Sequence, residues 1–346
     1  MGLVRSTGDT PVADASRSRL PDRTMLAAGA AYVLLLVAFW LAARHFAVED
    51  RIHGHMASSF MAFALLLAPY WFCGFGVAEL LRRFLTNSAI RVLVPGLLLV
   101  PYLVFSLARG EFRWIYAAVL FGIPVFIAGL FEFLPPGGTR PSIGKLYWQD
   151  ILALAMVGFP VEFGWLRGSF PHSGLSALPK LLLVDSALYA FLVVRRLENV
   201  GYDFRARIRD VLIGLRECSF FAPLAIALGI AIGFIAPHGR MPRASSALAA
   251  LLITFFFVAI PEELFFRGLL QNLLEGRIGY PKSLLVTAAV FGLSHFNKPQ
   301  PFNWRYVLLA TIAGIFYGRA WRDRRRILSS ATTHTLVDVI WSLWFR

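Results

Sequence analysis

Two adjacent carboxylates, Glu262 and Glu263, follow a long apolar run from Ala247 to Ile260. Insertion of an ionised Asp, Lys or Arg at mid-bilayer costs roughly 2.5–3.5 kcal/mol, so acids at the end of such a run indicate a site. Arg267 follows Glu263 by four residues, which puts both on one helical face and allows an ion pair. Glu262 points about 100° away and can face another group. The spacing therefore predicts one acid held structurally and one acid available for chemistry.

Two later apolar segments carry histidines at useful positions. His295 lies near the end of one segment, and His334 lies in the last one, four residues before Asp338 and on the same helical face. A carboxylate and an imidazole can activate a water molecule for attack on a carbonyl group. A second imidazole with a neighbouring Asp can stabilise the oxyanion that develops. Two histidines and a carboxylate, here Glu262, His295 and His334, are also a ligand set of catalytic zinc, and spacing alone does not separate these alternatives.

The composition indicates the kind of element that must position these residues. Of the 346 residues 58% are hydrophobic and only 16% are charged, against about 25% charged in average soluble domains. The sequence therefore predicts an all-α, polytopic transmembrane helical bundle of about eleven spans, with a range of about 8–11. The net charge of +14 comes from short loops between apolar spans, so it predicts membrane topology and no nucleic-acid partner. The expected spans lie near 25–43, 59–81, 90–108, 114–134, 148–165, 177–195, 218–236, 245–262, 283–297, 304–318 and 328–345.

The distribution of Lys and Arg predicts the orientation. With a cytoplasmic N-terminus, the tail and the inner loops hold 23 of the 34 Lys and Arg residues. This bias follows the positive-inside rule and predicts a multi-pass protein, with a bacterial inner membrane as the expected location.

Four regions are expected along the chain. Residues 1–24 are polar and predict a disordered cytoplasmic tail. Residues 25–200 form an N-terminal transmembrane region whose role the sequence does not indicate, and 218–346 form the core that carries the polar set. Between them, 203–217 has early charges and late apolar residues, which predicts an interfacial helix. The acids of the N-terminal region are isolated from one another, and a pair such as Glu162 with Arg167 would explain one of them.

One geometric difficulty follows from these spans. Glu262 falls near the inner end of its span, whereas His295 falls about thirteen residues into the next one, roughly 20 Å away by helical rise. They meet if the helix of Glu262 ends deep in the membrane, which the apolar stretch 264–274 favours. We therefore expect a water-filled cavity that opens to the cytoplasm.

The polar set resembles the CPBP (Abi) family, which includes the type II CAAX prenyl endopeptidases. The resemblance covers roughly residues 245–341 and lies in three motifs on separate spans: Glu262-Glu263-x-x-x-Arg267, Phe291-x-x-x-His295 and His334-x-x-x-Asp338.

The resemblance implies an intramembrane endopeptidase and a role for each residue. Glu262 and His295 would activate the water, and His334 and Asp338 would form the oxyanion side. Glu263 and Arg267 would hold the site together. The third motif of the family admits Asn or Asp, and since a charged carboxylate is a poor oxyanion donor, Asp338 would orient His334 or stay protonated.

Several functional alternatives stay open at this point. The expected partners are the lipid bilayer and a membrane-associated peptide or protein substrate, with a prenylated CAAX substrate implied by the resemblance only. A non-catalytic membrane scaffold or self-immunity protein is the main alternative. A proton-coupled transporter is a weaker one, because a proton relay needs acids along a path and these acids concentrate in one half. The cofactor is open, with zinc as one alternative.

Overall fold

The computed structural model describes residues 20–137, 144–238 and 242–345, and these ranges are almost entirely helical. Within them the only β-type pairing is one isolated bridge between Pro237 and Phe345. Seven of the described helices are long and apolar enough to cross a membrane. Each of the eleven expected spans overlaps one or more of the described helices. The prediction of an all-α polytopic transmembrane bundle is confirmed, and the protein is an integral, multi-pass membrane protein.

The N-terminal region begins with a helix that is longer than expected. Its described part begins at Leu20, so residues 20–24 of the predicted tail are helical, and residues 1–19 lie outside the described residues. The helices of this region are α1 (Leu20–His45), α2 (Val48–Arg51), α3 (Met56–Cys73), α4 (Val77–Phe84), α5 (Ser88–Leu93), α6 (Val100–Arg109), α7 (Trp114–Phe133), α8 (Trp148–Glu162) and α9 (Leu178–Leu188).

The C-terminal region differs from the expectation at its start. Residues 203–207 are not helical, and 208–217 are the first turns of one unbroken helix rather than a separate interfacial helix. Arg207 has extended backbone angles, which starts the helix only at Ile208. The helices are α10 (Ile208–Ala231), α11 (Ala244–Thr254), α12 (Ile260–Glu263), α13 (Asn272–Ile278), α14 (Tyr280–Leu293), α15 (Trp304–Arg324) and α16 (Ile327–Trp344).

One end of the bundle gathers the arginine-rich segments, and we call it the basic end (residues 195–207, 275–282 and 319–327). Arg322 and Arg325 contact Glu275 at 3.3 and 2.7 Å. The N–H of Ile327 donates to the carbonyl of Gly201 at 3.0 Å. Gly201 has φ +78°, and a Cβ there would lie 2.2 Å from the carbonyl oxygen of Arg325, so only glycine allows this close approach.

The far end (residues 232–238, 294–303 and 344–345) lies a full helix length away. There the N–H of His238 donates to the carbonyl of Trp344 at 3.0 Å, and Lys298 pairs with Glu162 at 3.0 Å. α10 and α16 run from the basic end to the far end, and α15 runs back. These helices have 18–24 residues and are therefore about 27–36 Å long.

The two regions share one hydrophobic core. It contains Leu67 and Leu181 from the N-terminal region together with Ile260 and Leu264, which flank the acid pair. The hydroxyl of Tyr70 also donates to the carbonyl of Phe256 at 2.8 Å. The N-terminal region therefore supports the helix that carries the acids.

Candidate active site

The acid pair lies in the middle of a helix, not at its end. Residues 244–278 form one continuous helical rod of 35 residues. In it α11, α12 and α13 are joined by two π-helical segments, Phe255–Ala259 and Leu264–Gln271. π-Helical turns are rare and are frequent at functional sites. Here they flank Glu262 and Glu263 on both sides.

This continuous helical rod explains how Glu262 and His295 can lie at the same depth in the membrane. Glu262 lies 16 residues before the end of the rod at Ile278, and His295 lies 15 residues after the start of α14 at Tyr280. Because the two helices are antiparallel neighbours joined by Gly279, both residues come to the same level. The helix of Glu262 continues past the predicted end of its span at residue 262, along the apolar stretch 264–274.

Glu263 is a fully buried hub with three partners. One carboxylate oxygen accepts from Arg267 Nη1 at 3.0 Å and contacts His334 Nδ1 at 2.8 Å. The other oxygen accepts from the hydroxyl of Ser330. All four side chains are buried. A buried charge is tolerated when it is paired and hydrogen-bonded in this way.

Arg267 ties this hub to α15 and to an aromatic cage. Its Nη2 donates to the carbonyl of Gly314 at 3.0 Å. Its guanidinium carbon lies 4.6 Å from the ring centroid of Phe291 and 5.3 Å from that of Tyr317, within the range of cation–π attraction. A Cβ on Gly314 would come 2.9 Å from the backbone of Ala288, so glycine lets α14 and α15 pack closely enough to complete the cage.

His334 has a defined orientation. An ionised carboxylate only accepts hydrogen bonds, so the contact with Glu263 puts a proton on Nδ1. Nε2 then faces Asp338 at 3.4 Å and Glu262 at 3.9 Å. The ring of Tyr317 stacks on the imidazole with centroids 4.6 Å apart and planes 17° apart. The imidazole therefore joins the buried hub to the two more exposed acids.

His295 follows the end of α14 and is held by backbone contacts. Its Nδ1 lies 2.9 Å from the carbonyl of Phe291, which can only accept, so Nδ1 carries a proton. In the neutral ring Nε2 is then the acceptor. The hydroxyl oxygen of Ser294 lies 3.2 Å from the same Nδ1, and Tyr306 packs on the ring with centroids 4.5 Å apart.

A cavity of about 440 Å³ unites the predicted catalytic residues. Glu262, His295, His334 and Asp338 all line it, while Glu263 and Arg267 lie behind its wall. The side chains of Glu262 and Asp338 are 32% and 30% exposed. The rest of the wall is mostly apolar and aromatic, with Phe221, Phe234, Phe291, Tyr306, Tyr317, Trp341 and Phe345.

The cavity extends toward the far end of the bundle. Besides the four polar residues its wall includes Phe234 and Phe345, which follow the last residues of α10 and α16, and Lys298, which follows α14. We expected both a cytoplasmic basic end and a cavity open to the cytoplasm. The structure makes these two expectations incompatible, because the cavity and the basic loops lie at opposite ends.

The side chains around the cavity do not provide the ligands of a catalytic zinc ion. Among the described residues, no group of three or more His, Cys, Asp and Glu side chains is placed to hold a metal ion. Glu262, His295 and His334 share the cavity but do not form such a group. A catalytic zinc site needs three converging protein ligands, so the arrangement does not fit zinc.

The buried or partly buried acids of the N-terminal region lie apart from the cavity residues or pair with a basic side chain. Glu162 pairs with Lys298 at 3.0 Å and not with Arg167 as we suggested, because the loop after α14 brings Lys298 to it. Glu132 pairs with Arg91 at 2.9 Å. Asp185 is buried, and its carboxylate oxygens have no hydrogen-bond partner among the described residues.

Sequence reasoning missed two side chains that shape the site. Ser330 precedes His334 by four residues, so its place on the same helical face was readable from the sequence. Tyr317 gave no such signal, because one tyrosine in an apolar helix is indistinguishable from a packing residue. Its contact with His334 depends on how α15 packs against α16.

Comparison with known proteins agrees with the three motifs. Residues 244–340 match the family model described as type II CAAX prenyl endopeptidase Rce1-like, and this segment includes all six predicted site residues. The match covers less than a third of the 346 residues. No curated protein and no solved structure matches the chain. The predicted resemblance is thus confirmed: this multi-pass membrane protein carries an Rce1-like domain at residues 244–340, consistent with the CPBP family of CAAX-type intramembrane proteases.

Proposed function

We propose that this protein is an intramembrane endopeptidase that cleaves a membrane-associated peptide with water activated by Glu262 and His295. The observation that carries the proposal is the shared cavity: an accessible acid and two oriented imidazoles line one apolar chamber, backed by a buried hub at Glu263. Isolated polar residues in membrane helices are costly, and this set converges where a substrate can enter.

The first step of the reaction is proton removal from water. The carboxylate of Glu262 takes the proton, and Nε2 of His295 accepts the second hydrogen of the same water, since its Nδ1 donates to Phe291. The oxygen then forms a bond to the carbonyl carbon of the scissile peptide. General bases of this kind contribute about 10²–10⁴-fold.

The second step is collapse of the tetrahedral intermediate. In its protonated form His334 donates through Nε2 to the oxyanion, while Nδ1 stays bound to Glu263. Asp338 accepts from the same Nε2 before substrate binds, at 3.4 Å, and so fixes the ring. Glu262 returns its proton to the leaving amine as the C–N bond breaks. Arg267 neutralises Glu263, Ser330 donates a hydrogen bond to it, and neither touches the substrate.

The substrate class follows from the lining and from the family. The apolar, aromatic wall suits a hydrophobic peptide segment. The family description names a prenylated CAAX substrate, and this is the more specific form of the proposal.

The decisive variant is Glu262→Gln, compared with Glu275→Gln at the basic end. Purified protein in liposomes is given fluorogenic peptides, with and without a prenylated CAAX terminus. We expect kcat/KM to fall about 10²–10⁴-fold for Glu262→Gln and to stay unchanged for Glu275→Gln, whose residue lies outside the cavity. Full activity in Glu262→Gln would refute the proposal. A protein that cleaves none of the peptides would favour the scaffold alternative.

Metal removal provides a separate prediction. We expect activity to survive dialysis against a strong chelator, because the site lacks three converging ligands. Metal analysis of the same sample checks that removal was complete. Activity that is lost on chelation and restored by zinc would contradict the mechanism above, but not the peptidase itself.

A further inference from the structure

The two ends of the bundle differ strongly in charge. In the C-terminal region and its linker, the basic end and the adjoining first turns of α10 carry thirteen Lys and Arg residues: Arg195, Arg196, Arg205, Arg207, Arg209, Arg216, Arg277, Lys282, Arg319, Arg322, Arg324, Arg325 and Arg326. In the same part of the described chain the far end has three, Arg243, Lys298 and Arg305, and Lys180 of the N-terminal region lies beside them. An excess of Lys and Arg in short loops marks the cytoplasmic side of a membrane protein.

The position of the cavity along each helix shows where it opens. On α15 its lining residues run from Tyr306 to Tyr317, the part of the helix away from the arginines. On α16 they run from His334 onward to Trp341, again away from the basic end. The cavity therefore occupies the half of these helices toward the far end, with Tyr317 and His334 as its lining residues nearest the basic end.

The rim of the cavity also belongs to the far end. Lys180 and Lys298 are its charged lining residues there, and Lys298 is held by Glu162 of α8. Lys180 is exposed, near the start of α9. The N-terminal region thus contributes directly to the mouth of the cavity.

We infer that the catalytic cavity opens to the extracytoplasmic face of the membrane and takes peptide segments displayed on that side. The substrate in this inference rests on the proposed peptidase activity. The orientation of the cavity rests only on where the cavity and the basic residues lie along the helices. It makes the substrate an exported peptide or an extracytoplasmic segment of a membrane protein, with apolar side chains to fill the aromatic chamber.

Cysteine labelling tests the orientation without any catalysis. Cys73 and Cys218 are both buried and are first replaced by Ala. Single cysteines are then placed at the far end (Lys180→Cys, Lys298→Cys) and at the basic end (Arg277→Cys, Arg324→Cys), all at solvent-accessible side chains. We expect a membrane-impermeant maleimide to label 180 and 298 in intact bacterial cells, and 277 and 324 only after permeabilisation. The reverse pattern would overturn the inference, and two positions at each end guard against one misfolded variant.

A second measurement separates this inference from the proposed function. A membrane-impermeant fluorogenic apolar peptide is added to intact cells that express the protein or Glu262→Gln. Cleavage by the unmodified protein alone, without permeabilisation, supports both proposals. Cleavage only after permeabilisation overturns the orientation and leaves the peptidase standing. The expected labelling with no cleavage of any peptide leaves the orientation standing and overturns the peptidase.

Discussion

Two buried polar clusters in the C-terminal region are built from the same parts but differ in what they face. The Glu263 cluster consists of Glu263, Arg267, Ser330 and His334. The Asp210 cluster consists of Asp210, Asp203, Arg326 and Ser329. In each, an arginine and a serine near the start of α16 bind a buried carboxylate. In the Asp210 cluster Arg326 Nε lies 2.9 Å and Ser329 Oγ 2.8 Å from Asp210.

The difference lies in the histidine and the cavity. Both oxygens of Asp210 are bound by Arg326 or Ser329, and no residue of that cluster lines the cavity described above. The Glu263 cluster includes His334, whose Nε2 faces Glu262 and Asp338 across the cavity wall. A buried charge network by itself therefore indicates a role in stability. A side chain that connects such a network to a cavity, as His334 does, indicates a role in catalysis.

The largest expected effects come from removal of the two arginines. Arg267→Met and Arg326→Met each leave a buried carboxylate without its cation, which costs about 3–5 kcal/mol. We expect both variants to unfold at lower temperature in detergent. Only Arg267→Met should also lose peptide cleavage per folded molecule, because Glu263 can then no longer hold His334 in place.

The measurement combines thermal unfolding with cleavage rates normalised to monodisperse protein. A further variant, Arg267→Lys, keeps the charge but not the fork that reaches both Glu263 and Gly314. We expect it to recover part of the stability and little of the activity. Equal loss of activity per folded molecule in Arg267→Met and Arg326→Met would erase the distinction between the clusters.

Two pairs of site residues could be predicted from sequence because the members of each pair are close in the chain. Glu263 and Arg267 share a turn of helix, and so do His334 and Asp338. The apolar runs likewise predicted the helices, because each run is a local feature of the sequence. Neighbour spacing on a helix is fixed by its geometry, so these pairs required no knowledge of tertiary structure.

The contacts between helices could not be predicted in this way. Nothing in the sequence states that Ser330 would reach Glu263, that Tyr317 would stack on His334, or that Lys298 rather than Arg167 would pair with Glu162. The continuous helix from 244 to 278 was also missed, because charged residues in its middle resemble a span boundary. The direction in which the cavity opens depends on all of these contacts together, and our expectation of a cytoplasmic opening was therefore the least constrained.

A smaller effect is expected from the adjacent serines of α16. Ser329→Ala and Ser330→Ala each remove one hydroxyl that donates to a buried carboxylate, which costs about 1–3 kcal/mol. We expect similar losses of thermal stability. Ser330→Ala should in addition lower kcat several-fold with little change in KM, since Glu263 keeps Arg267 but holds His334 less firmly.

Ser329→Ala is the matched control, because the two serines are neighbours in one helix and both are fully buried. Ser330→Thr retains a hydroxyl and should restore most of kcat if the donor matters. A decrease in kcat for Ser329→Ala as large as that for Ser330→Ala would show that any disturbance of α16 affects catalysis.

The smallest expected effect is a pH dependence of stability from the Asp210 cluster. Burial by itself raises the pKa of Asp203, but hydrogen bonds from the Arg205 backbone N–H and from Arg326 outweigh it, so the pKa of this carboxyl is lowered. A carboxyl with a lowered folded-state pKa stabilises the protein above its unfolded value of about 3.9 and loses this contribution as pH falls through the folded value. Asp203→Asn should therefore be less stable than the unmodified protein near neutral pH, and the two should converge in acid. Thermal unfolding in detergent between about pH 6 and pH 2 checks this; parallel curves would mean that Asp203 has no part in holding α16 at the basic end.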